Sequence, residues 1–460
     1  MDATDLAFAG AGRQAELVRS GEATARSLVE LYLARIARLD PVLNAFRITF
    51  PERALAEADQ ADGRARAGDT RPLLGVPVAV KDDTDIAGEL TPCGTSGAER
   101  PAEADAEVVR RLRSAGAIVI GKTHVPELAA WPFTESPTFG VTRNPWDLQR
   151  TSGGSSGGSA TAVAAGLAAA AIGTDGAGSI RIPAACCHLV GLKAQRDRVP
   201  PGLEDANQGM TVWGALTRSV ADCALVYDAI KDGPSWTAVV DAPPRPLRVA
   251  VSTAAPPLSG VSADAEQLGA VAAVADALRE LGHDVADREL DIPATTAMNV
   301  VGRHLRGVHD TRVRLDHPDQ LSPTGKGVAR MGAAVSGPLL ARARAAEAED
   351  AKRLNSVFDE GFDAVVTPMF SRRPPRVGEY WNRGAAWTLT GSIRLVPWCG
   401  EWNHTGQPAC AVPAGFAGDG FPLSAQLVAP PDGEEVLLAL AAQLEARGDW
   451  TAYRPAFAAA

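Results

Sequence analysis

The sequence predicts an α/β fold, and two observations carry that prediction. Short apolar segments, such as 76–80, 117–120, 247–251 and 362–368, alternate along the whole chain with stretches of helical periodicity. The chain has 460 residues, 46% of them apolar, enough for two or three domains or for one large domain with a substantial core. No internal repeat or low-complexity tail breaks the alternation.

Taken in order, Leu28, Leu31, Ile36 and Leu39 predict a helix over 23–39, with Thr24 as its N-cap and Asp40-Pro41 as its stop. An Ala-, Glu- and Arg-rich helix follows over 51–67. A strand over 73–80 then ends in Lys81-Asp82, with a surface lysine as the ordinary reading of that end. Residues 108–115 read as a helix, and 117–120 as a buried strand leading into Gly121-Lys122-Thr123. From Gly116 onward this matches the phosphate-loop spacing. The four intervening residues are the strand, however, so their amides belong to a sheet ladder and nucleotide binding is excluded.

A loop over 138–150 enters the stretch 151–183, where two serine-bearing glycine turns, 153–158 and 173–179, flank an Ala-rich helix expected over 159–171. A strand-like segment is expected over 180–183. A strand over 189–193 and a helix over 219–230 come next, and Pro243-Pro244-Arg245-Pro246 is the clearest break in composition. Beyond it the pattern predicts a strand at 247–251, a helix at 264–281, a strand near His283, a helix at 342–358 and a strand at 362–368. Strands at 409–413 and 423–428 and a helix at 434–446 close the chain. The organisation expected is an N-terminal helical segment 1–70, a motif-bearing core 71–230, a more divergent α/β segment 244–345 and a C-terminal return 346–460.

The formal charge of −10 argues against a nucleic-acid or anionic-membrane surface, which needs clustered Lys and Arg. Seven scattered histidines show no metal-ligand spacing, so neither metal nor other cofactor is expected. Six cysteines without C-x-x-C pairs, an N-terminus with no basic start or apolar core, and no apolar run long enough to span a bilayer together predict a cytoplasmic protein.

Two chemistries can be read from the glycine turns. Amides of Gly176, Ala177 and Gly178 can form a nest for an oxyanion, with Ser179 placed where a nucleophile faces it. Alternatively, Gly153-Gly154-Ser155-Ser156-Gly157 satisfies the G-x-S-x-G elbow of a serine esterase of the α/β-hydrolase type, although the loop before it lacks the strand such an elbow needs.

The motifs as a set resemble those of the amidase signature hydrolases. They run in order through Gly75-Val76-Pro77-Val78-Ala79-Val80-Lys81-Asp82, Gly121-Lys122-Thr123, Asn144-Pro145-Trp146-Asp147, Gly153–Ser159, and Gly173-Thr174-Asp175-Gly176-Ala177-Gly178-Ser179-Ile180-Arg181-Ile182-Pro183. The likeness continues through Val190-Gly191-Leu192-Lys193 to Asn403-His404-Thr405-Gly406-Gln407-Pro408-Ala409. The resemblance implies a single large domain with a mixed sheet flanked by helices. It implies hydrolysis of a small-molecule carboxylic amide, with Ser179 acylated, Ser155 bridging after a cis peptide and Lys81 as terminal base. It permits a homodimer, a glutaminase-type subunit of an amidotransferase complex, or a silent binding homologue.

A free lysine titrates near ~10.4, so such a base needs burial to favour its neutral form. Asp83 would oppose this by pairing with the amine, and the sequence predicts that the chain turns away first. Ser156, Thr174, Asp175 and Arg181 are expected to support the turns, with a plain structural ion pair the competing reading of the last two. Ala177, His124, His188 and Ala194-Gln195 depart from the family pattern and bear on pocket shape. Trp131, Phe133, Trp381, Trp387, Trp398 and Trp402 are candidate pocket walls, with plain core as the alternative.

Overall fold

The computed structural model describes residues 1–200, 206–242, 245–257 and 259–459, so Pro243 and Pro244 of the expected break lie outside the described residues. The strands are β1 (Phe46–Thr49), β2 (Pro77–Lys81), β3 (Ile118–Thr123), β4 (Glu135–Ser136), β5 (Gly140–Val141), β6 (Ala170–Asp175), β7 (Val190–Lys193), β8 (Val212–Thr217), β9 (Arg248–Val251), β10 (Asp284–Asp287), β11 (Ala364–Pro368), β12 (Ala409–Phe416) and β13 (Pro422–Val428). Among the described residues, eleven of them form one mixed sheet in the order β1-β3-β2-β6-β8-β7-β12-β13-β11-β9-β10, while β4 and β5 make a separate hairpin. β2 runs parallel to β3 and β6, and β9 parallel to β10 and β11; every other pairing in the sheet is antiparallel. Helices flank this sheet, and one continuous apolar core joins them to it.

Several elements depart from what local pattern dictates. The first long helix spans Ala25–Leu43 with Thr24 capping it as expected, yet it passes through Pro41 and ends at Asn44 in the left-handed region. The Asp40 carboxylate, which would have helped to end it, instead accepts the amides of Ala45 and Phe46. The alanine run is helical only over Gly157–Ala164, and Ala170 and Ala171 already belong to β6. Gly166 at φ +63 turns the chain between them, and fully buried sheet pairing overrides the helix propensity of alanine. Gly173, Thr174 and Asp175 are likewise strand, so the second glycine turn begins at Gly176. Residues 180–183 are not strand-like, because Arg181–Cys186 is a helix. The helix expected over 342–358 is two, Gly337–Ala345 and Glu347–Asp359.

A smaller apolar cluster beside the sheet holds Trp131, Phe133, Leu305, Val308, Val328, Tyr380 and Leu389. It fixes the helix Thr296–Arg314 against the motif-bearing half of the sheet. All six cysteines are free thiols, and among the described residues no helix is long and apolar enough to cross a membrane.

Candidate active site

β2 is buried at every residue and ends on Lys81. The chain turns at once, with the Thr84 amide donating to the Lys81 carbonyl at 3.1 Å. Lys81 Nζ lies 2.8 Å from Ser155 Oγ, 2.5 Å from Thr174 Oγ1 and 3.0 Å from Asp83 Oδ2. Thr174 Oγ1 in turn donates to Asp83 Oδ2 at 2.6 Å. The expectation that the chain turns away from Asp83 is therefore corrected. The turn forms, but one this tight carries the side chain of its third residue back to the amine.

Lys122 is also fully buried, at the other side of the same turn, 3.2 Å from Asp82 Oδ1, and donates to the Leu90 carbonyl. It lies within β3, and so does Thr123, which leaves no phosphate loop there.

Ser155 follows a cis peptide bond after Gly154. A Cβ on Gly154 would stand 2.5 Å from the Trp131 carbonyl oxygen and 2.6 Å from the Phe133 nitrogen, so the close approach of two backbones demands glycine here. The Ser156 amide donates to the Ser179 carbonyl at 3.2 Å, which ties the two serine turns together. Ser156 Oγ donates to the Thr174 carbonyl at 3.3 Å. Residues 144–154 contain no strand, and the recorded partner of the Ser155 hydroxyl is Lys81 rather than a histidine, so the nucleophile-elbow reading of Ser155 lacks both of its supports.

The Ser179 turn is shaped from behind by Asp175, the last residue of β6. Its Oδ1 accepts the Gly178 amide at 2.6 Å and its Oδ2 the amides of Ile180 at 3.2 Å and Arg181 at 3.4 Å. The Arg181 guanidinium grips the same carboxylate through Nε at 3.0 Å and Nη2 at 3.1 Å. Arg181 also donates to Gln426 Oε1 at 2.6 Å, Asn403 Oδ1 at 2.6 Å and the Cys399 carbonyl at 3.1 Å, while Asn403 Nδ2 donates to the Asp175 carbonyl at 2.8 Å. Both charged side chains have 0% exposure. Burial alone would raise the Asp175 carboxyl, but Arg181 and the converging donors hold it well below the usual carboxylate range. The ion pair is structural, and what it structures is the Ser179 turn.

One expectation for this turn is corrected. The Gly178 amide is engaged by Asp175, and Gly178 lines neither of the two cavities at Ser179, so it shapes the turn instead of offering a free donor. Its φ of +117° and a Cβ position 2.6 Å from Ile182 Cδ1 leave room only for glycine. Ala177 is not in the left-handed region, so alanine is tolerated there.

Ser155, Thr174, Gly176, Ala177 and Ser179 line a cavity of about 470 Å³. A narrower cavity of about 120 Å³ shares Ala129, Ala177, Ser179 and His304 with it, so the two are limbs of one space forking at Ser179. The helix Thr296–Arg314 runs along both. Thr296, Val300, His304 and Thr311 recur at helical spacing, the first two on the narrow limb, His304 at the fork and Thr311 on the wide limb. His304 Nε2 is 3.2 Å from the Ala130 carbonyl, and burial lowers the ring's pKa. Of the six aromatic candidates, Trp131 lines the narrow limb, whereas Phe133 stacks between Trp131 and Tyr380. Trp398 and Trp402 are buried core with their indole N–H groups satisfied, and Trp381 and Trp387 are exposed.

His304, like Gln426 behind the turn, is not legible from spacing. Asn403 lies in a segment whose resemblance marks it without a role. Among the described residues no group of three His, Cys, Asp or Glu side chains could hold a metal ion.

A mixed sheet carrying a buried serine–lysine contact beside a second serine on a tightly held turn defines a class of hydrolase. The Amidase family model matches residues 27–438. The chain is 51% identical over 460 residues to the protein named "Putative amidase AmiB2" of Mycobacterium tuberculosis, covering 99% of each chain. It is 34% identical over 496 residues to the 6-aminohexanoate-cyclic-dimer hydrolase of Paenarthrobacter ureafaciens, covering 99% of this chain and 98% of that one. The solved structure of 6-aminohexanoate cyclic dimer hydrolase complexed with substrate matches with a TM-score of 0.87 at 30% identity, over 98% of this chain and 99% of that one. The chain belongs to the amidase family, the amidase signature enzymes, and is a hydrolase of carbon–nitrogen amide bonds.

Proposed function

We propose that the chain hydrolyses a carboxylic amide through an acyl-enzyme on Ser179, with Ser155 and Lys81 as the proton relay. The observation that carries this reading is the buried 2.8 Å contact between Lys81 Nζ and Ser155 Oγ at the wall of the cavity that Ser179 faces. Ser179 Oγ bonds to the amide carbon as its proton passes to Ser155 and the Ser155 proton passes to the neutral amine of Lys81. The free amides of the turn around Ala177 and Ser179 hold the oxyanion. The proton then returns through Ser155 to the nitrogen as the carbon–nitrogen bond breaks, and the amine or ammonia leaves. Water repeats the sequence on the acyl-enzyme, forming the carboxylate and restoring Ser179.

Asp83 enters this scheme as the anion that stabilises the Lys81 ammonium while the proton is held there, and Thr174 bridges the two. Labelling with a fluorophosphonate followed by peptide mapping tests the assignment. Modification of Ser179 is expected, and modification of Ser155 in its place overturns it.

A further inference from the structure

The narrow limb has apolar walls, made by Trp131, Ile182, Ile292, Val300, Ile393 and Val396. Two polar side chains interrupt them. Thr296 and Glu401 both line this limb, with exposures of 1% and 4%, and Thr296 Oγ1 and Glu401 Oε1 have no hydrogen-bond partner. The helices that carry them, Thr296–Arg314 and Glu401–Thr405, pack against one another. An unpaired hydroxyl and an unpaired carboxyl oxygen buried along one apolar channel each forgo the stabilisation that a partner supplies, and native interiors rarely leave such groups unmatched. A ligand that reaches them would supply the missing partner.

Which part of the substrate reaches them follows from the fork. Ser155, Thr174 and Asp83 border the wide limb and not the narrow one. The relay must deliver its proton to the departing nitrogen, so that nitrogen points into the wide limb and the acyl group points into the narrow one. A cavity of about 150 Å³ holds a benzene ring, so the narrow limb at about 120 Å³ takes a slender chain of comparable bulk.

Resting on the acyl-enzyme reading above, we infer that the acyl portion of the substrate is a short apolar chain ending in an uncharged group that both donates and accepts hydrogen bonds, a hydroxyl or an amide, received by Thr296 and Glu401. Burial pushes the Glu401 carboxyl up to about 8, so near neutrality it keeps its proton; its own backbone amide engages the carboxyl, so Oε1 offers that proton as a donor while the Thr296 hydroxyl can accept. A bare methyl supplies no hydrogen bond, a terminal carboxylate would bury its charge against lining residues that include no lysine or arginine, and a terminal ammonium matches the pair only by ionising Glu401.

The test is a set of 4-nitroanilides that share one leaving amine and differ at the acyl end: hexanoyl, 5-hydroxypentanoyl, 5-aminopentanoyl and 4-carboxybutanoyl. The hydroxyl acyl group is expected to exceed the isosteric hexanoyl group by at least about tenfold in kcat/KM, because a site built for a polar group penalises its absence. Glu401→Leu is expected to reverse that ratio and Thr296→Val to narrow it, while Glu401→Gln, which keeps a donor and an acceptor, retains most of it.

Equal or higher kcat/KM for hexanoyl, 5-aminopentanoyl or 4-carboxybutanoyl in the unsubstituted enzyme overturns the inference, whether or not the variants fold. So does an unchanged ratio in a folded Glu401→Leu protein. Failure to turn over any of the four while a fluorophosphonate still labels Ser179 overturns this acyl assignment and leaves the acyl-enzyme reading standing. Failure of both overturns the two together.

Discussion

Two buried charge networks start from adjacent residues of β6, Thr174 and Asp175, whose side chains point to opposite faces of the strand. Asp175 meets Arg181, Asn403 and backbone amides, and each of its carboxylate oxygens has a partner on the protein. Thr174 meets Lys81 and Asp83, beside Ser155, on the side that opens to the cavity. Both sets pair a cation with a carboxylate. What separates them is completeness: the closed network has no capacity left for a ligand and holds geometry, whereas the open one can pass a proton to something that arrives.

The sharpest way to break this comparison is to remove groups from the open side. Ser179→Ala and Lys81→Ala are each expected to lower amide turnover by at least about 10⁴-fold, since subtractions from a concerted serine machine are of this size, and Ser179→Ala is expected to leave thermal unfolding nearly unchanged. Lys81→Arg should give no recovery, because a guanidinium does not shed its proton in the working range. Near-normal turnover by the arginine variant would mean that only charge is needed at this position.

On the closed side the main loss should be in stability. Arg181→Leu leaves the Asp175 carboxylate buried and unpaired, and is expected to cost about 3–5 kcal/mol in urea unfolding. The depressed Asp175 carboxyl contributes stability that is fully present above its unfolded value near ~3.9 and is lost as pH falls through its lower folded value. Asp175→Asn should therefore be less stable at neutral pH and lose less on acidification below about 4. Parallel acid dependence in the two proteins would contradict this.

Asp83→Asn is expected to have an intermediate effect that reports on the open network alone. Without the anion, the ammonium formed on Lys81 during the relay loses its partner, so maximal turnover should fall several-fold. Unchanged turnover would show that the 3.0 Å contact does not influence the relay. The smallest effect belongs to Ala177→Gly, where greater backbone freedom should cost about 0.5–1 kcal/mol of stability and little turnover.

The residues proposed to carry the chemistry were more legible than their surroundings. Lys81, Ser155 and Ser179 lie in glycine-bearing motifs whose order along the chain identifies the family, and β2 and β3 were readable as apolar runs. The boundary of the alanine run was not, because alanine fits helix and buried strand alike once sheet pairing supplies the energy. The return of Asp83 to Lys81 depends on turn geometry, which two residues of sequence do not encode. Gln426 sits more than 200 residues from Asp175, and Thr296 and Glu401 have no motif at all; only the fold brings such residues to the site.

The clamp behind Ser179 has a temporal meaning as well. Its partners Cys399, Asn403 and Gln426 belong to the last part of the chain to be synthesised, whereas Lys81, Ser155 and Ser179 are made early. A nascent chain that has grown only as far as β11 already holds every reactive side chain but has nothing to complete the grip on Arg181. Gln426 lies in β13, so the grip on Arg181 is complete only once that strand has joined the sheet.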